Sequence, residues 1–130
     1  MSYSDRHIWS LMVDGSSTGD KGALAATTNR LVVHKIGAYI LDATTGAGTI
    51  DIDKRTSGTD TADGVGQLTV SASQAAGDTL YEEKGTSPVV LPIGYAAVVA
   101  VDDAFDAFAV VTIEYSLLDE AIADSSAVAA

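Results

Sequence analysis

The sequence predicts an all-β protein: a single antiparallel β-sandwich with an extended N-terminal arm or loop and a loose C-terminal tail. Three observations carry that expectation. Short apolar runs alternate with clusters of Gly, Ser, Thr and Asp, several of those runs keep a strict period of two, and turn signals recur about every ten residues. A chain of 130 residues, 47% of them hydrophobic, has the size of one domain and can bury roughly two-thirds of its unfolded surface. It needs no disulfide or metal to stay folded, in keeping with a cysteine count of zero.

Residues 1–29 read as an N-terminal strand followed by an arm or loop. "HIWSLMV" (7–13) is the strand, stopped by the turn pair Asp14-Gly15, and "SSTGDKGALAATTN" (16–29) has little to bury, which predicts an ordered loop or an arm that packs on something else. Residues 30–118 read as the sandwich core. "RLVVHKIGAYILDA" (30–43) becomes apolar on both faces through Ile36, Tyr39, Ile40 and Leu41, the mark of a central strand or of one whose outer face meets another subunit. In "GTIDIDKR" (48–55) Ile50 and Ile52 point inward while Asp51 and Asp53 point to water. "GQLTVSAS" (66–73) repeats the pattern with Leu68, Val70 and Ala72 inside. "DTLYEEK" reads as another short strand or a single turn, and Pro88 and Pro92 bracket "VVL".

"GYAAVVAVDDAFDAFAVVTIEYSLLD" (94–119) is too short an uncharged run to span a bilayer, which takes about 20 apolar residues. It reads instead as two strands and a turn, a hairpin closing the sandwich, with Val111, Ile113, Tyr115 and Leu117 on the inward face and Val110, Thr112, Glu114 and Ser116 on the other. The count is seven or eight strands. Residues 119–130, "DEAIADSSAVAA" with Asp119 at its head, read as a flexible tail.

A formal charge of -11 with seven scattered basic residues argues against binding nucleic acid or an anionic membrane, both of which need clustered Lys and Arg. The segment "MSYSDRHIWSLMVDG" lacks the basic region and apolar run of a secretory signal, so the N-terminus is expected to be unprocessed. Asp102, Asp103 and Asp106 invite a calcium site, but "DDAFDA" lacks the alternating Asp/Asn spacing and distal Glu of a dedicated calcium loop, and a solvated turn is the reading adopted. "DTADG" (60–64) and the pair Asp51 and Asp53 are read in the same way. "GAGTID" (46–51) is followed by a strand, which empties its likeness to a dinucleotide fingerprint. His7 and His34 lie in two different predicted strands and no G-x-S-x-G elbow is present, so neither an enzyme nor a cofactor is expected. Trp9 and the five tyrosines could form a sugar platform or fill cores and subunit seams.

The runs "TGAGTIDIDKRTSGTDTADGVGQLTVSASQAAGDTLY" and "LPIGYAAVVAVDDAFDAFAVVTIEYSL" resemble small bacteriophage structural proteins, especially head decoration (cement) proteins with a jelly-roll-like sandwich. The likeness covers roughly residues 30 to 118 and rests on the order of small and β-branched segments. It implies a non-enzymatic virion protein, made in the host cytoplasm, that binds the major capsid protein on the outer face of an assembled capsid, commonly as a homotrimer at local three-fold positions. No catalytic residues come with it. On that reading the docking edge is the N-terminal segment and the loop 14–29, with Trp9, Ser16, Ser17, Thr18 and Leu24 as interface residues. A phage tail or fibre component, or a carbohydrate-binding module, would use the same sandwich.

Overall fold

A computed structural model describes residues 6–118. It contains nine strands: β1 (His7–Asp14), β2 (Gly19–Ala25), β3 (Arg30–Ile40), β4 (Gly48–Thr56), β5 (Thr59–Val70), β6 (Thr79–Glu83), β7 (Val89–Leu91), β8 (Ala96–Asp103) and β9 (Phe108–Leu118). They form two antiparallel sheets packed as a β-sandwich. One runs β1-β9-β3-β6, with β7 also paired to β3, and the other runs β2-β8-β4-β5.

The pairings nest. β4 pairs with β5 across a tip at Ser57 and Gly58, β3 with β6, β2 with β8, and β1 with β9, so the chain behaves as one long hairpin whose successive rungs fall in alternate sheets. β3 against β9 and β4 against β8 then complete the two sheets. Among the described residues, β4 and β5 are the sequence neighbours that hydrogen-bond to each other.

This arrangement corrects the closing hairpin. β8 and β9 are both strands, but they belong to different sheets, and the turn between them crosses the end of the sandwich. Phe105 explains the crossing: its side chain is fully buried and plugs the sandwich end. It sits so close under the β1–β2 turn that a Cβ on Gly15 would lie 2.3 Å from its ring. The Phe105 and Asp106 N–H groups donate to the Gly15 carbonyl, and Gly15 N–H donates to Ala107 O, tying the crossover to that turn. "DDAFDA" is therefore a corner closed by a buried aromatic ring.

The inner faces are as the alternation predicts. Ile50, Ile52, Leu68, Val70, Val111 and Ile113 are all buried in one core, and Tyr115 and Leu117 pack partly against it. Ser116, expected outside, is 1% exposed and bonded to His34, next to the register shift between Val33 and Lys35. Ala72 lies beyond the end of β5 and is exposed.

The loop or arm expected at 14–29 is the second correction. Gly19–Ala25 forms β2, paired along β8 with one bulge between Asp20 and Gly22. Leu24 packs on the core, and Gly22 leaves room for Leu11 of the facing edge strand, whose Cδ2 would stand 2.6 Å from an added Cβ. Residues 7–25 thus supply an edge strand to each sheet, and removing them would open both. The tail predicted at 119–130 lies outside the described residues, as do residues 1–5 of the N-terminal segment.

Candidate functional site

Both sheets bury their inner faces in one core, and their outer faces differ. On the four-stranded sheet, β4 is flanked on both sides, with Ile50 and Ile52 inward and Asp51 and Asp53 outward. The sequence reading puts water over those two carboxylates; instead they are only 9% and 8% exposed. The cause is a register shift between Ile52 and Lys54, opposite which the β5 chain bends over the face of β4. Asp63, in the left-handed region at φ 54°, donates its N–H to Asp53 Oδ1 at 2.9 Å. Gln67 Nε2 donates to Asp51 Oδ1 at 2.8 Å, and Arg55 Nη2 reaches Asp53 Oδ2 at 3.4 Å.

One oxygen from each of Asp51, Asp53 and Asp63 lies within 4.8 Å of the others. Three negative groups at that spacing repel. Desolvation first, then the charge of Asp51 and a hydrogen bond with it, then the charges of Asp53 and Asp102, push Asp63 up to about 6. Asp102 is raised as well, chiefly by the charge of Asp51. The same oxygens could hold a hard cation such as calcium; a proton on Asp63 relieves the repulsion by another route. Among the described residues these are the carboxylates that meet, whereas Asp102, Asp103 and Asp106 do not form such a group. Asp106 stands in the Phe105 corner at φ 54° and accepts from Thr45 Oγ1.

The outer face of the five-stranded sheet is different in kind. Cross-strand register sets Met12, Val110 and Tyr39 in one row, Ser10, Thr112, Gly37 and Tyr81 in the next, and Ile8, Glu114 and Lys35 in a third. Ile8, Met12, Tyr39, Tyr81 and Phe108 are all exposed. Gly37 has no side chain where its neighbours are aromatic, and this leaves a groove of about 340 Å³ between Tyr39 and Tyr81, lined also by Lys35, Thr79 and Thr112. A Cβ on Gly37 would meet Thr112 Oγ1 at 3.1 Å and the Leu80 carbonyl at 3.2 Å, so the groove floor depends on glycine. Lys35 Nζ sits 4.7 Å from the Tyr81 ring centroid, within cation–π range.

The residues expected at an interface are strung along one side of the sandwich. Trp9 and Leu24, on the edge strands β1 and β2, are half-buried and pack against the core. Trp9 is therefore in large part a core residue. Ser16, Ser17 and Thr18 form the exposed β1–β2 turn, where Ser16 donates to Asp14 and Lys21 donates to Ser17. The exposed apolar positions Ile8 and Met12 of the same strand escaped the sequence reading, although "HIWSLMV" is apolar on both faces and so carried the signal.

Both histidines are engaged in the sheet. His7 packs against Tyr115 with ring centroids 5.4 Å apart, and His34 Nε2 lies 2.9 Å from Ser116 Oγ. A Ser–His contact of that length is what a nucleophile needs; here the serine is 1% exposed and lies inside the sheet. Burial also holds His34 below the ordinary imidazole value. No helix among the described residues is long and apolar enough to cross a membrane. Comparison with protein-family models, with curated proteins and with solved structures returns no match.

Proposed function

We propose that this chain is a non-enzymatic structural protein of a phage virion, a decoration protein that docks on the outer face of an assembled capsid through the outer face of its five-stranded sheet. The observation that carries the reading is the division of the surface. In a chain of charge -11, Ile8, Met12, Tyr39, Tyr81 and Phe108 are gathered on one outer face, while the close carboxylates Asp51, Asp53 and Asp63 occupy the other. Exposed apolar surface rimmed by polar groups marks a protein contact, and a strongly acidic opposite face suits solvent and repels DNA. The nested pairing of β1 with β9, β2 with β8, β3 with β6 and β4 with β5 supports a jelly-roll reading, an architecture shared by viral capsid and lectin domains. The capsid itself, as partner, comes from the resemblance in residues 30 to 118.

Mixing the purified full chain with heads assembled without it, then separating bound from free on a density gradient, tests the proposal. Saturable binding at fixed stoichiometry is expected. Absence of binding at any concentration would overturn it.

The groove between Tyr39 and Tyr81 favours a second reading, a carbohydrate-binding sandwich. Aromatic rings flanking a glycine floor, with the Thr79 and Thr112 hydroxyls and Lys35 at hand, offer apolar faces for a sugar ring and polar groups for its hydroxyls. Retention on a glycan array, lost in Tyr39→Ala and in Tyr81→Ala, together with failure to bind heads, would replace the capsid account with this one.

A further inference from the structure

The open edges of the two sheets are not alike. β2 carries Asp20, Lys21 and a bulge; β5 begins with the acidic run "TDTADG" and is bulged against β4; β6 is five residues long and ends in Glu82 and Glu83; β7 is three residues long and lies between Pro88 and Pro92. Each has a feature that discourages another strand from adding to it. β1 has none. It pairs with β9 without a bulge from His7 to Asp14, contains no proline or glycine, and between Arg6 and Asp14 carries no Asp, Glu, Lys or Arg. Its outward side chains Ile8 and Met12 are 70% and 64% exposed.

We infer that β1 is a self-pairing edge: two copies of this chain join antiparallel through β1 about a two-fold axis at Ser10, making one continuous sheet across the dimer. The register follows from the sequence. Residues opposed across antiparallel strands share a face, so outward Arg6, Ile8, Ser10, Met12 and Asp14 must oppose one another, and inward His7, Trp9, Leu11 and Val13 likewise. Centred on Ser10, the pairing sets Ile8 against Met12 twice, Trp9 against Leu11 twice, and Arg6 against Asp14 at both ends. Centring on Trp9 sets Arg6 against Met12 and Ile8 against Ser10, and centring on Leu11 sets Ile8 against Asp14 and Ser10 against Met12. Centring on Ile8 or on Met12 sets Ser10 against Arg6 or against Asp14. The Ser10 register alone among these matches Ile8 with Met12, Trp9 with Leu11 and cation with anion at both ends, and it sets His7 against Val13.

Arg6 is exposed and Asp14 half-buried at the two ends of the edge. Arg6 already donates to Glu114 of β9 at 2.8 Å, and Asp14 accepts from Ser16, so the new pairs extend existing polar contacts. The close carboxylates of the four-stranded sheet lie on the other layer of the sandwich, away from the joint. A two-fold joint of this kind is self-complementary and closes at two copies, in contrast to the three-fold assembly that the resemblance implies. The inference does not depend on what the other faces bind.

The chain has no cysteine, which gives a direct test. Opposed Cα atoms in antiparallel strands are about 4.5 to 5.5 Å apart, within disulfide range, so Ser10→Cys, sitting on the axis, is expected to convert to a disulfide-linked dimer under mild oxidation. Ser87→Cys, exposed in the β6–β7 turn, should stay monomeric under the same conditions. Light scattering on the uncross-linked full chain should give two copies. R6D and D14R should each weaken the dimer, and R6D/D14R together should restore it. Met12→Lys should raise the dissociation constant roughly tenfold, since each substitution is felt at two pairs. A strict monomer, a trimer, or a double charge swap no better than the single swaps would overturn the inference. Circular dichroism of each variant separates loss of pairing from loss of fold.

Discussion

The two outer faces of the sandwich are built from strands of the same grammar and end in opposite chemistry. On β9 the residues alternating with inward Ala109, Val111 and Ile113 are Val110, Thr112 and Glu114, and their neighbours on β1 and β3 include Ile8, Met12 and Tyr39. On β4 the residues alternating with inward Ile50 and Ile52 are Thr49, Asp51 and Asp53, and their neighbours on β5 and β8 include Gln67, Thr69 and Ala100. The inner faces could be exchanged in kind without changing the fold class. The period of two fixes which side is core, while the residues left over decide whether a face docks, repels or collects protons.

The largest effect separates inner from outer positions on one strand. Ile113→Asp places a charge in a fully buried site and should cost about 4 kcal/mol or more, enough to unfold the domain. Phe105→Ala should follow at about 3 to 5 kcal/mol, because it empties the plug at the sandwich end. Thermal melts monitored by circular dichroism check both. If Phe105→Ala melted like the wild type, the corner would not be held as described.

The acidic face has a pH signature. Asp63 is raised in the folded state, so it binds its proton more tightly folded than unfolded; its contribution is fully present below the ordinary carboxylate pKa and is lost as pH rises through about 6. Asp63→Asn should therefore melt with the wild type near pH 4 and above it at pH 7. His34 opposes this trend. Its depressed folded pKa gives stability that is present above the ordinary imidazole value and lost as pH falls through the folded one, which is why the comparison with Asp63→Asn, and not the bare profile, is the useful reading. A difference in melting temperature that did not grow between pH 4 and pH 7 would count against the carboxylate cluster. The smallest effect is Glu114→Ala: the ion pair with Arg6 is exposed to water, and its loss should cost under about 1 kcal/mol.

Much of this was legible in the sequence, and the failures are physical. β4 and β9 announce themselves by alternation, and the Leu68 and Val70 pattern marks β5. β2 is hidden because "GDKGALA" is made of residues with low strand propensity; it forms because its backbone completes β8 and because Leu24 finds the core. The partnership of strands is not local information. β8 and β9 look like a hairpin because neighbours in sequence usually pair, and only the buried Phe105 under Gly15 says that this turn changes sheets. The burial of Asp51 and Asp53 was invisible for a similar reason, since their cover is Asp63, ten and more residues away and delivered by a register shift. The groove at Gly37 needed three strands in register to appear.

Binding to heads of two sets of variants tests the division of the surface most directly. One set alters the apolar face, Tyr39→Ala with Tyr81→Ala; the other alters the acidic face, Asp60→Asn with Asp102→Asn. All four positions are exposed, so both proteins should fold, as melting will verify. On a density gradient with heads assembled without the protein, the first variant is expected to lose binding by roughly tenfold or more and the second to bind as the wild type does. Full binding by the tyrosine variant with loss in the aspartate variant would place the contact on the four-stranded sheet and contradict the account.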